Sequence, residues 1–449
     1  MTLLAIDWSS VGVKTGQFIL SFSILVVLHE MGHFFPAKWF KCRVEKFYLF
    51  FNPWFSLWKK KVGDTEYGLG WVPFGGYVKI SGMVDESMDK EQLKKPAEPW
   101  EFRSKPAWQR LIIMVGGVVV NIVLAILLFI MITYVWGEEY LPAKNLTYGV
   151  HADSLATQLG IQDGDKIVSI DGKPIDNFGT IGAAIILGEA KQIEVNRNGE
   201  TVNLSIPDGF IKKLNKSKLE GFLDVRIPTF VDSVGKTANF IEGSLIKGDR
   251  IIGINNQPVP YFNDLTKYKK DKKNQVAVLT VLRDMDTMQV KVKLDDKSAI
   301  GFFPKSPGTI LGTIVKTYSL TESIPVGFSR CFETLGRYVT GLKQLFTGKV
   351  NASDSLGSVI SIGNTFPSLW DWQKFWTLTA IFSIILAFMN ILPIPALDGG
   401  HALFTLVEMV SGRKPSDKFM EYAQMVGMAL LLGLMAYALG LDFWRLFKQ

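Results

Sequence analysis

The chain has 449 residues, of which 48% are hydrophobic and only 20% are charged, so it is too long for one hydrophobic core and carries apolar runs long enough to cross a bilayer. Its net charge of +7 does not indicate nucleic acid binding, because no basic helix or aromatic and basic array accompanies it and cytoplasmic loops of membrane proteins collect Lys and Arg. The composition predicts a multi-pass α-helical membrane protein with no nucleic acid partner.

The first apolar segment contains three ionisable residues. The run 18–28 is too short to span a bilayer and reaches spanning length only if it includes His29, Glu30, His33 and the two phenylalanines that follow. A signal peptide is the alternative, but no small-residue cleavage site follows the apolar run. We predict a retained span, and ionisable groups inside a span rarely occur without a function.

The same segment carries the pattern His-Glu-x-x-His. Histidines at positions i and i+4 lie one turn apart on the same helix face, so both imidazoles of His29 and His33 can reach one tetrahedral zinc ion. Glu30 lies beside them and is predicted to act as general base toward water activated by the metal. The spacing predicts a zinc-dependent hydrolase that still needs a third protein ligand, with chance occurrence of the pattern as the alternative.

The next segment, residues 38–110, is rich in basic residues, including three consecutive lysines at 59–61, and is therefore predicted to be cytoplasmic. Within it, the glycine-rich alternating region Tyr67 to Ile80 predicts a β-hairpin. Its free edge could pair with an extended substrate, whereas a plain surface hairpin is the alternative.

Three further apolar segments are predicted to span the membrane: Leu111 to Trp136, Trp376 to Leu397 and Met425 to Leu441. Four crossings place the N-terminus, the region between spans two and three, and the C-terminus on the side opposite the cytoplasm. The second span contains one amide, Asn121, which is predicted either to line the active-site cavity or to hydrogen-bond a neighbouring helix.

Between Gly137 and Ser306 the hydropathy falls and a motif is repeated. Residues 164–175 recur as 248–259, with the shared pattern G-D-x-I-x-x-I-x-x-x-P. This pattern resembles bacterial PDZ domains, which implies two tandem α+β modules. The second copy departs from the PDZ pattern at 235–240, so peptide capture by strand addition and a spacer or plug without a peptide ligand both remain open.

An amphipathic helix is predicted after the second copy, since apolar residues recur there at steps of four and three. This helix could rest on the membrane surface or pack against the modules. Its apolar stripe consists of Phe328, Phe332, Leu335, Val339, Leu342 and Phe346.

The candidate for the third metal ligand is Asp398, in the stretch Asn390-Ile-Leu-Pro-Ile-Pro-Ala-Leu-Asp-Gly-Gly400. Together with His-Glu-x-x-His in the first span, this stretch resembles the site-2 protease family, in which the aspartate completes the zinc site. The rival ligand is His401, for which a supporting role is equally suitable. The chain departs from the family where Gly-Pro is usual, before Asn121 and at Gly357-Ser358.

Substrate contacts follow from the resemblance and from the breaks in the third helix. A spanning helix must unwind locally before its peptide bonds can be attacked. Pro393 and Pro395 interrupt the helix and leave backbone groups exposed, while the Asn390 amide could hydrogen-bond an extended chain. The family resemblance places the equivalents of Gly76 and Tyr77, in a membrane-associated β element, near the substrate.

The resemblance covers nearly the whole chain and implies regulated intramembrane proteolysis in the bacterial inner membrane. It implies one Zn2+ per chain, with an active site toward the cytoplasmic side. The expected substrates are single-span membrane proteins, such as an anti-sigma factor after prior trimming outside the membrane, and remnant signal peptides. A non-catalytic membrane receptor with a structural metal is the main alternative, and a transporter is weaker because no inverted repeat of spans is visible.

The predicted organisation in chain order alternates spans with loops and modules. Its parts are a first span with the zinc motif (1–40), a cytoplasmic loop with the membrane-associated β-hairpin (41–105), the second span (106–136), two PDZ domains (137–220 and 221–306), a region with the amphipathic helix (307–372), the third span (373–400), and a short cytoplasmic loop with the fourth span (401–449).

Overall fold

The computed structural model describes residues 8–83, 96–217, 219, 221–235, 238–351 and 357–448. The chain forms two compact units. The helical unit consists of residues 1–137, 317–342 and 355–449, and the sheet unit consists of residues 138–316 and 343–354.

The described helices comprise long ones in the helical unit and short ones mainly in the sheet unit. They are α1 (Trp8–Trp39), α2 (Ala107–Trp136), α3 (Ser154–Gln158), α4 (Ile181–Gly188), α5 (Phe210–Lys216), α6 (Phe262–Lys269), α7 (Pro307–Leu311), α8 (Leu320–Phe346), α9 (Val359–Asn364), α10 (Trp372–Ile391), α11 (Asp398–Ser411) and α12 (Asp417–Lys448).

The strands fall into a group near the N-terminus and a larger group in the sheet unit. They are β1 (Val44–Phe51), β2 (Trp58–Val62), β3 (Thr65–Leu69), β4 (Val72–Ile80), β5 (Glu138–Tyr140), β6 (Val150–Ala152), β7 (Lys166–Ile170), β8 (Lys173–Pro174), β9 (Gln192–Arg197), β10 (Glu200–Ser205), β11 (Leu223–Val225), β12 (Thr229–Val234), β13 (Asn239–Glu242), β14 (Arg250–Ile254), β15 (Gln257–Pro258), β16 (Val276–Arg283), β17 (Asp286–Lys293), β18 (Phe302–Pro304) and β19 (Ile314–Lys316).

Four helices are long and apolar enough to cross a membrane, which confirms the predicted number of spans among the described residues. They lie at Trp8–Trp39, Ala107–Trp136, Trp372–Ile391 and Lys418–Trp444. Within the helical unit, α2 packs against α1, α10 and α11 and is therefore its central helix. Its approach to α1 is close, because a Cβ built on Gly32 would lie only 2.4 Å from the carbonyl oxygen of Gly116.

The region predicted as the end of the third span and a following short loop folds differently. Helix α10 ends at Ile391 rather than continuing through residue 397, because prolines at 393 and 395 cannot extend the hydrogen-bond ladder. A second helix, α11, occupies residues predicted as a loop from 401 onward. It begins at Asp398 and ends before Gly412, whose φ of 68° closes the helix in the left-handed region.

The predicted hairpin between Tyr67 and Ile80 is wrong in its pairing. The sheet has the order β2-β3-β1-β4, so β3 and β4 flank β1 instead of pairing with each other. Strand β3 runs parallel to β1, and β4 runs antiparallel to it. The expected open edge nevertheless exists, because β4 is the last strand on its side of the sheet among the described residues.

The sheet unit contains two modules with the same local turn. In each, an aspartate that follows a glycine of left-handed backbone is buried and paired with an arginine at the end of a later strand. Arg197 binds Asp165 in the first module, and Arg283 binds Asp249 in the second. The repeated Gly-Asp motif thus builds the same ion pair twice.

The boundary between the modules lies later than the predicted break at residues 220 and 221. Strand β11, Leu223–Val225, pairs with β6 of the first module. Phe222 is buried in the first module's core, whereas the core of the second begins at Val231.

Helix α8 contains the predicted apolar stripe and packs within the helical unit. Cys331 is buried in a cluster with side chains of α2 and α10, and Leu335 packs against the same cluster. Arg330 donates a hydrogen bond to the Thr133 hydroxyl of α2 over 3.1 Å. The first part of α8 therefore covers two of the spans, which neither alternative included. Its end belongs to the sheet unit, where the Gln344 amide donates to the Ile186 carbonyl over 2.7 Å, so packing against the first module is confirmed for this end.

Candidate metal centre

Helix α1 carries the first three site residues within little more than one turn. His29 and His33 are buried, with 7% and 6% of their surface exposed, and their ring centroids lie 4.9 Å apart. Glu30 is half-buried and lines the adjoining cavity. The i and i+4 spacing thus brings the two imidazoles together inside a candidate membrane span, as its helical period requires.

A tight turn between α10 and α11 places Asp398. The Leu397 N–H donates to the Ile394 carbonyl over 3.0 Å, with Pro395 and Ala396 at the centre of the turn. Ala396 has a φ of 81°, the left-handed value that the third residue of a type II turn requires and that glycine adopts more easily. Helix α11 begins directly after this turn, and its first residue, Asp398, faces α1.

Three potential ligand atoms converge on one point. His29 Nε2 lies 3.2 Å from Asp398 Oδ2, His33 Nε2 lies 3.3 Å from the same oxygen, and the two Nε2 atoms are 3.3 Å apart. A tetrahedral zinc ion with bonds near 2.0–2.1 Å separates its ligand atoms by about 3.3 Å. The three ligand atoms are therefore spaced as three corners of a zinc coordination tetrahedron would be.

The donor chemistry gives a second test of the fit. Asp398 Oδ2 is buried and makes no well-formed hydrogen bond among the described residues, although the two Nε2 atoms lie 3.2 and 3.3 Å away. A buried carboxylate oxygen without a partner is costly unless a cation is bound. His401 lines the cavity but does not join the cluster of ligand atoms, which within the described part of the chain consists of His29, His33 and Asp398.

Helix α2 supplies contacts to both imidazoles from its own face. His33 Nδ1 lies 2.8 Å from the Ile113 carbonyl oxygen, and Asn121 Nδ2 lies 3.1 Å from His29 Nδ1. Between them, a Cβ on Gly117 would stand 2.5 Å from both His29 Cε1 and His33 Nε2. Sequence reasoning missed Ile113 and Gly117, although paired glycines in an otherwise large-residue helix are a signal of close approach.

The cluster opens into a cavity of about 370 Å³ bounded by α1, the β4 strand and the start of α11. Gly76 and Tyr77 of β4 both line it. A Cβ at Gly76 would lie 3.7 Å from Glu30 Cγ, so the strand passes directly beside the predicted base. The Tyr77 ring is stacked on Tyr48, and its hydroxyl donates to Asn52 over 2.9 Å.

The three remaining candidate residues lie around the break between α10 and α11. Asn390 is in the last turn of α10, with its amide nitrogen 3.0 Å from His29 Nε2. Pro393 is exposed and Pro395 is half-buried. The Pro395 carbonyl faces α12, where a Cβ on Gly427 would be 1.7 Å from that oxygen. Of these residues, Asn390 lies closest to the proposed metal ligands.

Four apolar helices, with two histidines and a glutamate on the first and an aspartate brought beside them by α11, are the features of a membrane metalloprotease. The model of Peptidase family M50 matches residues 17–434. The chain belongs to this family and is a site-2-type zinc metalloprotease, which confirms the resemblance inferred from the sequence.

Relatives of similar length carry consistent names. The regulator of sigma E protease of Haemophilus influenzae is 27% identical, covering 96% of this chain and 98% of its own length. Protease RseP of Yersinia pestis is 26% identical over 99% of this chain and 100% of its own. A Xylella fastidiosa protein, described by its name as a candidate zinc metalloprotease, is 27% identical over 94% and 96% of the two chains.

Proposed function

We propose that this chain is an intramembrane endopeptidase in which His29, His33 and Asp398 hold one zinc ion and Glu30 is the general base. The observation that carries the proposal is the set of three mutual distances of 3.2–3.3 Å between ligand atoms, two of which lie on a helix long enough to span a bilayer. The reaction is hydrolysis of a peptide bond in a membrane-spanning segment.

The chemistry divides between the metal and the chain. Zinc, when bound, supplies a Lewis acid that polarises the scissile carbonyl and makes water more acidic. Glu30 accepts the proton of the attacking water and delivers it to the nitrogen of the departing amine. Its position on the cavity wall beside Gly76 is suitable for this transfer, since the substrate backbone would pass between them.

Substrate binding is proposed to use backbone pairing. A helical substrate must unwind because its peptide groups are otherwise engaged in internal hydrogen bonds. The outer edge of β4, near Gly76 and Tyr77, would receive the extended strand at the cavity wall. Asn390 and the interrupted backbone at Pro393 and Pro395 would contact the same strand from the opposite side.

The proposed substrates are single-span membrane proteins. Two relatives are named for the regulation of sigma E or as RseP, which supports an anti-sigma factor, first trimmed outside the membrane, as one substrate. Remnant signal peptides fit the same requirement for a single helix. The proposed location is the bacterial inner membrane, with the cavity toward the cytoplasmic side and with both termini and the sheet unit in the periplasm.

The two modules of the sheet unit are proposed to be PDZ domains that exclude untrimmed substrates by size. Their shared Gly-Asp turns and paired Asp–Arg ion pairs support a common module. Deleting residues 149–295 should then permit cleavage of untrimmed substrate. Cleavage that still depends on prior trimming after this deletion would contradict the gating role.

The separate sheet of β1 to β4 is proposed to be associated with the membrane.

The decisive experiment substitutes the proposed base alone. Glu30→Gln should retain the fold and about one zinc ion per chain, yet lose cleavage of a reconstituted single-span substrate by about 10²-fold or more. Glu333→Gln, an exposed glutamate on α8, is the matched control and should cleave normally. Retained cleavage by Glu30→Gln would contradict the assignment, and wild-type protein with zinc but no turnover would favour a non-catalytic receptor.

A further inference from the structure

The face of α2 that packs against α1 carries contact residues at intervals of four, the same interval that separates His29 and His33. Residues 113, 117 and 121 are each four apart, so they form one stripe along the helix. The Ile113 carbonyl contacts His33, the Asn121 side chain contacts His29, and Gly117 leaves room for both rings. Each imidazole therefore meets α2 through the Nδ1 atom that does not face Asp398.

The tautomer of a metal-binding histidine determines whether its Nδ1 atom needs a hydrogen-bond donor or an acceptor as its partner. A neutral imidazole that gives its Nε2 lone pair to a metal carries its proton on Nδ1, which is then a hydrogen-bond donor. For His33 the acceptor is present, since the Ile113 carbonyl oxygen lies 2.8 Å away. For His29 the only polar side chain within reach on α2 is Asn121, 3.1 Å away.

The burial of Asn121 supports this pairing. The residue is 0% exposed, and its Oδ1 has no hydrogen-bond partner among the described residues. A buried amide oxygen without a partner is destabilising. Turning the amide by 180° exchanges its oxygen and nitrogen, so that Oδ1 lies where Nδ2 is and accepts the Nδ1 proton of His29.

We infer that Asn121 is a positioning residue that fixes the metal-binding tautomer and ring orientation of His29. The inference rests on the proposed zinc site and adds the partner that one of its ligands requires. It also decides between the two roles open for this amide: Asn121 acts across the helix interface, and it does so on a metal ligand. Outer partners of this kind raise ligand basicity and hold the ring in place.

The test is zinc affinity, measured on the purified full chain in detergent by titration of Zn2+ against a competing chelator. Asn121→Leu keeps the size of the side chain and removes the acceptor, and should weaken zinc binding by about 10- to 100-fold. Asn121→Asp keeps an acceptor oxygen and should bind zinc as the wild type does. Absorption of Co2+-loaded protein should shift in Asn121→Leu and remain unchanged in Asn121→Asp.

The control removes another buried hydrogen bond between spans. Thr379→Val deletes the 2.9 Å bond to Ser21 between α10 and α1 and should leave zinc affinity unchanged. If Asn121→Leu does not fold, Asn121→Ala supplies the same deletion without added bulk. Wild-type affinity in the folded Leu or Ala variant, or equal weakening in Asn121→Asp or Thr379→Val, would overturn the inference. Wild-type protein that binds no zinc would instead defeat the proposed function itself.

Discussion

A single methyl group at Gly117 is expected to disrupt the proposed metal centre without altering any of its ligands. A Cβ there would stand 2.5 Å from His29 Cε1 and from His33 Nε2. Ordinary contacts between such atoms need about 3.5 Å, so the rings must move by roughly 1 Å. Metal–ligand distances tolerate only about 0.2 Å. Overpacking of this kind costs about 1–3 kcal/mol. If this cost is subtracted from the free energy of zinc binding, Gly117→Ala should weaken zinc affinity by roughly 5- to 150-fold.

The measurement is zinc affinity by chelator competition, with thermal unfolding of the metal-free protein alongside. Gly16→Ala in α1 is the matched control, because a Cβ there meets nothing within 4 Å. In a helix interior that change removes glycine's conformational penalty and should stabilise the chain by about 1 kcal/mol. If Gly117→Ala binds zinc as tightly as Gly16→Ala, the imidazoles are not held against α2, and the geometric reasoning is refuted.

Three further sets of substitutions test the metal ligands, the β4 strand and the ion pair of the second module. Asp398→Ala should reduce zinc content to near zero while His401→Ala should retain it, as measured by metal analysis; the reverse result would exchange their roles. Gly76→Ala should retain zinc but reduce cleavage by about 10²-fold, because its methyl group would lie 2.6 Å from an α1 side-chain carbon and 2.7 Å from a β1 backbone oxygen. Arg283→Met should destabilise the sheet unit by about 3–5 kcal/mol in thermal unfolding, since it leaves the 0% exposed Asp249 carboxylate unpaired, and the added change Asp249→Asn should recover part of that loss. Burial raises the pKa of Asp249, but hydrogen bonds, chiefly from Arg283, lower it on balance below the usual aspartate value. The ion pair should therefore contribute to the free energy of unfolding above the usual aspartate pKa, and this contribution should disappear as the pH falls through the lowered pKa. A free energy of unfolding that does not change with pH in this range would contradict the pairing.

Features with a local physical cause could be predicted from the sequence. The four spans follow from hydropathy, and the His29 and His33 pairing follows from helical period, so neither depends on the rest of the fold. The prolines at 393 and 395 likewise predicted the interruption of the third helix. The position of α11 was missed because the residues after the interruption were assigned to the end of the same span and to a loop, although Asp398 begins a new helix.

Features that depend on distant partners could not be predicted in the same way. The region from Tyr67 to Ile80 has the alternation and glycines of a hairpin, but β1 inserts between its two strands and pairs with both. Which strands pair depends on side-chain contacts with strands elsewhere in the sequence, and the pattern within residues 67–80 does not contain that information. The boundary between modules depends on a similar event, because Leu223–Val225 pairs with a strand some seventy residues earlier.

The site itself combines both kinds of information. Its ligand side chains carry recognisable chemistry in the sequence, whereas the support from α2 includes a backbone carbonyl and the absence of a side chain at Gly117. Neither feature has a residue type that identifies it as part of a metal centre. Helix α2 supplies none of the proposed metal ligands and yet contacts both histidines, because an imidazole that binds a metal through one nitrogen needs space and a hydrogen-bond acceptor at the other.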